Sequence, residues 1–134
     1  MISQSSMSFL FNDVQGFHNK VLGFATEGAP HLLSCVDMQK RLKFIDEELD
    51  ELQDAYNKQD IIKVADAIAD LVYVALGTAH IMDLPFDKIW AAVHAANMRK
   101  LRGSTRRDME YDAIKPYDWE GPENHIAAAI YEEM

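Results

Sequence analysis

The strongest constraint on the fold is an apolar stripe of helical period near the middle of the chain. Its members recur at alternating spacings of four and three residues, which places them on one face of a helix. They are Met38, Leu42, Ile45, Leu49, Leu52 and Tyr56. Ser34 is suited to cap this helix at its N-terminus, and the pattern stops at Asn57 to Asp60. We therefore predict one long amphipathic helix between these two points.

The next segment, from about Ile61 to Met82, is apolar nearly all the way round. A helix of this composition belongs at the centre of a bundle. It is short for a membrane span and carries Asp70 and His80, so we predict no membrane association. Its apolar residues cover several sides, which favours burial of this helix by a second copy of the chain.

The remaining segments complete an all-α prediction. A first helix is predicted from about Asn12 to Gly23, with Val14, Phe17, Val21 and Leu22 on its buried side, and a loop follows from Gly23 to Ser34. A turn at Asp83 to Phe86 leads into a fourth helix that extends to about Leu101. The stretch from Ser104 to Trp119 is irregular and polar, and a short last helix is predicted after Gly121-Pro122. No segment has the alternating pattern of a strand. The expected fold class is all-α, with four main helices in a single domain that covers residues 1–134.

Charge and cysteine content narrow the class of protein. The formal net charge of −9 disfavours a protein that binds nucleic acid through bulk electrostatics. The lone Cys35 excludes an internal disulfide and a cysteine-built zinc site, which favours a reducing compartment. Residues 1–11 lack the charged and apolar regions of a secretory signal. We expect a cytoplasmic protein without nucleic-acid or membrane partners.

The first acidic motif lies on the long amphipathic helix. It has the form Glu47-Glu48-x-x-Glu51. At about 100° per residue, Glu48 and Glu51 lie side by side on one flank of the apolar stripe, and Glu47 lies farther towards solvent. Taken alone, such a motif is typical of a solvated acidic face.

The second acidic motif lies on the apolar helix and carries more information. Asp66 and Asp70 are four residues apart and share a face. They belong to a polar stripe that also contains Lys63, Tyr73, Gly77 and His80. A buried carboxylate must be ion-paired, protonated or bound to a metal.

Two interpretations of these acids remain open. In the first, Asp66 pairs with Lys63 and Asp70 pairs with an arginine of another helix. In the second, the acids of both helices hold a divalent cation. The acids outnumber the nearby bases, and oxygen ligands without Cys or paired His suit Mg²⁺ or Mn²⁺. We therefore predict a metal site, provided that the two acidic faces oppose each other.

The fourth predicted helix supplies candidates for substrate binding. Asn97 shares a face with His94 and Leu101, and another with Val93 and Lys100. An amide and an ammonium one turn apart can bind phosphate oxygens. The alternative is a surface lysine and a helix-capping asparagine, and position alone does not separate the two.

The two acidic motifs together resemble those of the MazG-like all-α nucleoside triphosphate pyrophosphatases. The second motif reads Asp66-Ala-Ile-Ala-Asp70-Leu-Val-Tyr-Val. The sequence after the second motif is similar to the short phage and bacterial branch of that family. The matching features are Gly77, the Leu84-Pro85-Phe86 turn, Trp90-x-x-Val93-His94-x-x-Asn97-Met98-x-Lys100 and Lys115-Pro116-x-x-Trp119-x-x-Pro122. The resemblance covers roughly Phe9 to Ile130.

The resemblance implies a four-helix bundle that is completed by homo-oligomerisation, as a homodimer or homotetramer. It also implies Mg²⁺, with Mn²⁺ as a substitute, bound by Glu47, Glu48, Glu51 and Asp70. One position departs from the family pattern. The glutamate of an E-x-x-D motif would fall at Ala67, and the acid lies one residue earlier, at Asp66. Asp66 shares the face of Asp70 and is therefore also expected at the metal site.

The implied reaction is hydrolysis of nucleoside or deoxynucleoside triphosphates to a monophosphate and pyrophosphate. Glu48 or Glu51 would orient or deprotonate the water that attacks the α-phosphorus. The other residues expected to bind substrate are Asn97 and Lys100 at the phosphates, and Tyr73, Trp90 and His94 at the sugar or base. Two alternatives remain, namely a phosphoribosyl-ATP pyrophosphohydrolase, which has similar acidic helices, and a non-catalytic helical adaptor.

Overall fold

The computed structural model describes residues 4–23, 26–103 and 112–134 of the chain. In order, the elements are α1 Gln4–Lys20, α2 Cys35–Asn57, α3 Ile61–Ile81, α4 Phe86–Met98, β1 Leu101–Gly103, β2 Asp112–Ile114 and α5 Glu123–Glu133. The predicted all-α fold class is confirmed. Among the helices of the described ranges, none combines the length and apolar character that crossing a membrane requires.

The α2–α3 hairpin is defined by its caps. The Ser34 hydroxyl accepts a hydrogen bond from the Asp37 amide at 3.1 Å, so α2 begins where the sequence predicts. Asp60 caps α3 by accepting from the amides of Ile62 and Lys63, each at 3.1 Å. Gln59 takes a positive φ of 53° between the two helices. This tight turn makes α2 and α3 antiparallel neighbours that pack along each other.

The contacts divide the chain into two compact units, Met1–Leu84 and Pro85–Met134. In the first unit, α3 packs against α1 and α2. Its second half is buried, as the predicted central position requires, through Val74, Leu76 and Ala79. Its first turn is exposed in the single chain, where Ile61 and Ile62 are 81% and 79% exposed. The single-domain organisation over residues 1–134 stays a prediction.

The first helix differs from its prediction at both ends. It begins at Gln4 instead of about Asn12 and ends at Lys20. Val14 is buried as expected, but Val21 and Leu22 lie beyond the helix and are exposed. Their amides both donate to the carbonyl of Phe17, and the positive φ of 64° at Gly23 then turns the chain away.

The second unit contains α4, which packs against α5, and a small sheet. Strands β1 and β2 pair antiparallel, with Leu101 opposite Ile114 and Gly103 opposite Asp112. A Cβ at Gly103 would overlap the Ile114 side chain, so a glycine is required there.

This sheet corrects two expectations. Strands β1 and β2 occur where the sequence pattern indicates none, and α4 ends at Met98 rather than at about Leu101. Strands of three residues are too short to show an alternating pattern, and the pairing of Leu101 takes its backbone out of the helix. Of the stretch predicted to be irregular, residues 104–111 lie outside the described residues. The last helix is confirmed as α5.

Candidate metal and catalytic site

Three carboxylates converge between α2 and α3. Glu48, Glu51 and Asp70 each offer one oxygen, and these three atoms all lie within 4.8 Å of one another. The three-residue spacing places Glu48 and Glu51 on the same flank of α2, and the antiparallel α3 brings Asp70 opposite them. We call these residues the carboxylate cluster. Three like charges at such distances repel each other unless a proton or a cation intervenes.

Glu48 is the most constrained member of the cluster. Its Oε2 atom is buried and accepts no hydrogen bond from any described residue. Burial raises the pKa of Glu48, and the charge of Glu51, a hydrogen bond that protonated Glu48 would share with Glu51, and the charges of Asp70 and Glu47 raise it further. An ionised, buried oxygen without a donor is costly, and a bound cation would remove that cost.

The donor set of the carboxylate cluster fits Mg²⁺ or Mn²⁺. All three ligands are hard carboxylate oxygens, which these ions prefer over sulfur or paired imidazoles. Glu48 and Asp70 are partly buried, whereas Glu51 is exposed. The cluster is therefore open to solvent on one side, where water and substrate oxygens can complete the coordination of a cation.

Two further acids that were predicted as metal ligands lie outside this group of three. Glu47 is exposed on α2, and its charge contributes to the raised pKa of Glu48. Asp66 is exposed on α3 and lines a neighbouring hollow. Direct ligation by Glu47 and Asp66 stays a prediction.

The hollow beside the carboxylate cluster has a volume of about 280 Å³. Its lining residues come from both sides of the α2–α3 hairpin and are Glu51, Asp54, Ala55, Lys58, Lys63, Asp66 and Ala67. We call it the lysine hollow. Because Glu51 belongs to both the cluster and the hollow, the two features are contiguous. The sequence analysis placed Lys63 beside Asp66 but did not identify Lys58, which lies at the C-cap of α2.

Of the residues predicted to bind substrate, Tyr73 is the one on α3. Its ring packs edge-on against Phe17, with 5.6 Å between the ring centroids, and it remains partly exposed. In the second unit, Trp90, His94 and Asn97 are exposed on α4. The substrate roles of these residues stay predictions.

Lys100, the last predicted substrate residue, contacts an aromatic ring. Its ammonium lies 5.2 Å from the ring centroid of Trp119, and the ammonium of Lys115 lies 4.9 Å from the same centroid. The Trp119 indole is held by a 2.7 Å hydrogen bond from Nε1 to the carbonyl of Ala96. In the second unit, the Trp119 ring therefore makes cation–π contacts with the ammonium groups of both Lys100 and Lys115.

A second group of titratable residues surrounds Gly77 on α3. His18 and His80 are buried, with 5.1 Å between their ring centroids. Arg41 donates to the Thr78 hydroxyl at 3.0 Å and to the Val74 carbonyl at 2.9 Å. We call His18, His80 and Arg41 the basic cluster. A Cβ at Gly77 would lie 2.7 Å from Nε2 of His18, so the absence of a side chain makes this packing possible.

Burial lowers the pKa of both histidines in the basic cluster. For His18, the charges of His80 and Arg41 lower the pKa further, and for His80 the charge of Asp83 acts in the opposite direction. The sequence analysis placed Gly77 and His80 on the polar stripe of α3. It did not identify His18 or Arg41, because they come from α1 and α2 and only the packing brings them to α3.

The family model described as phosphoribosyl-ATP pyrophosphohydrolase matches residues 17–97. This range is more than half of the chain and contains the whole carboxylate cluster. The search of curated proteins found no match.

Proposed function

Because the chain belongs to the phosphoribosyl-ATP pyrophosphohydrolase family, within the MazG-like all-α superfamily, we propose that it hydrolyses nucleoside or deoxynucleoside triphosphates to monophosphate and pyrophosphate with Mg²⁺. The family indicates a pyrophosphohydrolase that acts on a nucleotide. The observation that carries the proposal is the convergence of Glu48, Glu51 and Asp70 within 4.8 Å. A non-catalytic adaptor has no need for such a costly arrangement.

The reaction is a hydrolysis at the α-phosphorus. The oxygen of a water molecule forms a bond to that phosphorus, and the bond from phosphorus to the α–β bridging oxygen breaks. The electron pair of the broken bond stays on the bridging oxygen, which leaves as part of pyrophosphate. The water gives up a proton, so the site needs a group that accepts it.

The side chains of the carboxylate cluster can bind the cation that the charged substrate requires and can accept the proton of the attacking water. Glu48, Glu51 and Asp70 would hold a divalent cation, whose positive charge would stabilise the triphosphate and lower the pKa of the attacking water. Glu48 and Glu51 are the candidates for orienting the water and accepting its proton. Glu51 is exposed, which gives its carboxylate access to water from solvent, and Glu48 lies beside it on the same flank of α2.

Phosphoribosyl-ATP is a second candidate substrate, and the family match favours it. Its hydrolysis breaks the same α–β linkage, so the carboxylate cluster would serve either substrate. The proposal of ordinary triphosphates rests on the His94, Asn97 and Lys100 pattern, of which Lys100 lies beyond the matched residues.

A substrate panel tests the proposed function. Pyrophosphate release is measured with each nucleoside and deoxynucleoside triphosphate and with phosphoribosyl-ATP, with and without Mg²⁺. The variant Glu51→Gln should lose activity, whereas the matched control Asp46→Asn, an exposed acid on the same helix, should retain it. Release from phosphoribosyl-ATP alone would select the second candidate. No release from any nucleotide, or a fully active Glu51→Gln protein, would overturn the proposed site.

We further propose that the active form is a homodimer or homotetramer. Exposed apolar side chains continue along α2 and α3 and include Leu49, Tyr56, Ile61, Ile62, Ile68 and Val72. A groove of about 640 Å³ lies among them, lined by Leu49, Asp50, Leu52, Gln53, Tyr56 and Val64. Apolar patches of this kind on a single chain favour association. Light scattering should give a mass of two or four chains, and a mass of one chain would contradict the proposal.

A further inference from the structure

We propose that the lysine hollow is the subsite for the pyrophosphate that leaves the substrate, with Lys58 and Lys63 binding its oxygens. This inference rests on the proposed function, because it assigns a place to one product of that reaction. It adds two substrate-binding residues to those that the sequence analysis predicted.

The position of the hollow fits a group attached to the α-phosphate. Along α3, Lys63 lies seven residues before Asp70, which corresponds to about 10 Å of helix. Along α2, Lys58 lies seven residues after Glu51, again about 10 Å at the rise of a helix. Both lysines therefore line the hollow near the hairpin turn. A triphosphate whose α-phosphate lies at the carboxylate cluster reaches them with its outer phosphates.

Both lysines are available to an anion. Three carboxylates line the same hollow, yet no described residue forms an ion pair or hydrogen bond with the ammonium of Lys58 or Lys63. Both side chains are exposed at the rim. A lysine ammonium on a flexible stem binds phosphate as a mobile point charge and needs no fixed partner before substrate arrives.

Small residues give the hollow its volume. Ala55 on α2 and Ala67 on α3 are buried where the two helices pack. A glutamate at position 67 would carry a negative charge into this space and take up part of it. Alanine leaves room for a phosphate and adds no repulsion.

The charge of the lining raises a competing possibility. Glu51, Asp54 and Asp66 contribute three negative charges against two positive ones from the lysines. A cation at the carboxylate cluster would offset the charge of Glu51, which leaves the lysines balanced by Asp54 and Asp66. If the hollow binds no anion, Asp54 and Asp66 would instead attract a second cation. The experiment below distinguishes an anion site from a cation site.

The test compares two double variants that lose the same charge. Lys58→Gln/Lys63→Gln removes both ammoniums of the hollow. Lys40→Gln/Lys43→Gln removes two exposed lysines from the other half of α2 and controls for the general effect of charge. For each protein we would measure KM for the best triphosphate, inhibition by inorganic pyrophosphate and by the product monophosphate, and Mg²⁺ binding by calorimetry.

The subsite predicts a selective loss. Lys58→Gln/Lys63→Gln should raise KM and the inhibition constant of pyrophosphate about tenfold, since two charge-assisted contacts are lost at an exposed site. Inhibition by the monophosphate should change less than about twofold, and the control variant should behave like the natural chain. An unchanged inhibition constant for pyrophosphate would overturn the proposal, and tighter Mg²⁺ binding alongside it would identify the hollow as a cation site. If the natural chain hydrolyses no nucleotide, the proposed function itself fails. If the natural chain is active and Lys58→Gln/Lys63→Gln behaves like it, only the proposed subsite is contradicted.

Discussion

Helix α3 carries two groups of titratable side chains that differ in what they need from their surroundings. Asp70 joins the carboxylate cluster, where like charges meet beside solvent and the pKa of Glu48 is raised. His80 joins the basic cluster, where two imidazoles are buried against each other and against the ring of Phe11. The acids can lose their repulsion only by binding a proton or a cation. The histidines lose their charge at neutral pH and become part of the core.

Both clusters contain a buried polar atom without a described hydrogen-bond partner. These atoms are Oε2 of Glu48 and Nε2 of His80. The costs differ, because an ionised carboxylate loses far more hydration energy on burial than a neutral ring nitrogen does. The comparison therefore indicates a ligand-binding role for the carboxylate cluster and a packing role for the basic cluster.

The largest expected contrast between the two clusters is in catalysis. Asp70→Asn should lower pyrophosphate release by at least about a hundredfold, because it removes the negative charge from one of the three carboxylates proposed to bind the cation. His18→Gln should change the rate of the folded enzyme by no more than about threefold, since His18 lies outside the carboxylate cluster. Initial rates are compared at a temperature where circular dichroism shows that both variants are folded. Equal losses in the two variants would remove the distinction between ligand binding and packing.

The sequence pattern predicts the residues of the carboxylate cluster but, of the basic cluster, only His80. Helical spacing predicts that Glu48 and Glu51 share one flank of α2. The short turn favours antiparallel packing of α3, which brings Asp70 opposite them. His18 and Arg41 lie on other helices, and single-helix periodicity cannot show which of their side chains meet at Gly77. The strands β1 and β2 were missed for a related reason, since their pairing is a contact between distant residues rather than a local pattern.

The second prediction concerns stabilisation by Mg²⁺. A cation that binds only the folded chain raises the free energy of unfolding by about 2.7 kcal/mol at a hundred times its dissociation constant. The unfolding midpoint should therefore rise with Mg²⁺ in the natural chain and in His18→Gln, and much less in Glu48→Gln. Thermal unfolding with a Mg²⁺ titration measures this. A full shift in Glu48→Gln would show that the cation binds away from the carboxylate cluster.

The third prediction tests the packing of the basic cluster. Gly77→Ala would place a Cβ 2.7 Å from Nε2 of His18 and 3.0 Å from Nη2 of Arg41, so these side chains must shift. We expect a loss of about 1–3 kcal/mol in the free energy of unfolding, as for other overpacked sites. The control is Gly16→Ala on α1, where a Cβ meets no atom within 4 Å. Urea unfolding distinguishes the two, and equal stability of both variants would contradict the close packing around Gly77.

The smallest expected effect is the pH dependence of stability, and its sign differs between the clusters. The raised pKa of Glu48 means that the folded chain binds more protons than the unfolded chain above the usual value of 4.5, so stability without Mg²⁺ falls as the pH rises through that window. The lowered pKa values of His18 and His80 mean that the unfolded chain binds more protons below the usual value of 6.5, so stability falls as the pH drops. The charged groups that act on these histidines are Arg41 for His18 and Asp83 for His80.

Glu48→Gln separates these two opposing contributions. Without Mg²⁺, its unfolding midpoint should fall as the pH is lowered from about 7.5 to about 5.5. This interval extends about one pH unit to either side of the usual histidine pKa. The natural chain should fall less over the same interval, because protonation of Glu48 then offsets part of the loss. Adding His18→Gln to Glu48→Gln should flatten the decline, whereas adding His125→Gln, at an exposed position on α5, should leave it unchanged. A decline of equal slope in all three Glu48→Gln proteins would contradict the prediction that protonation of the buried His18 is coupled to folding.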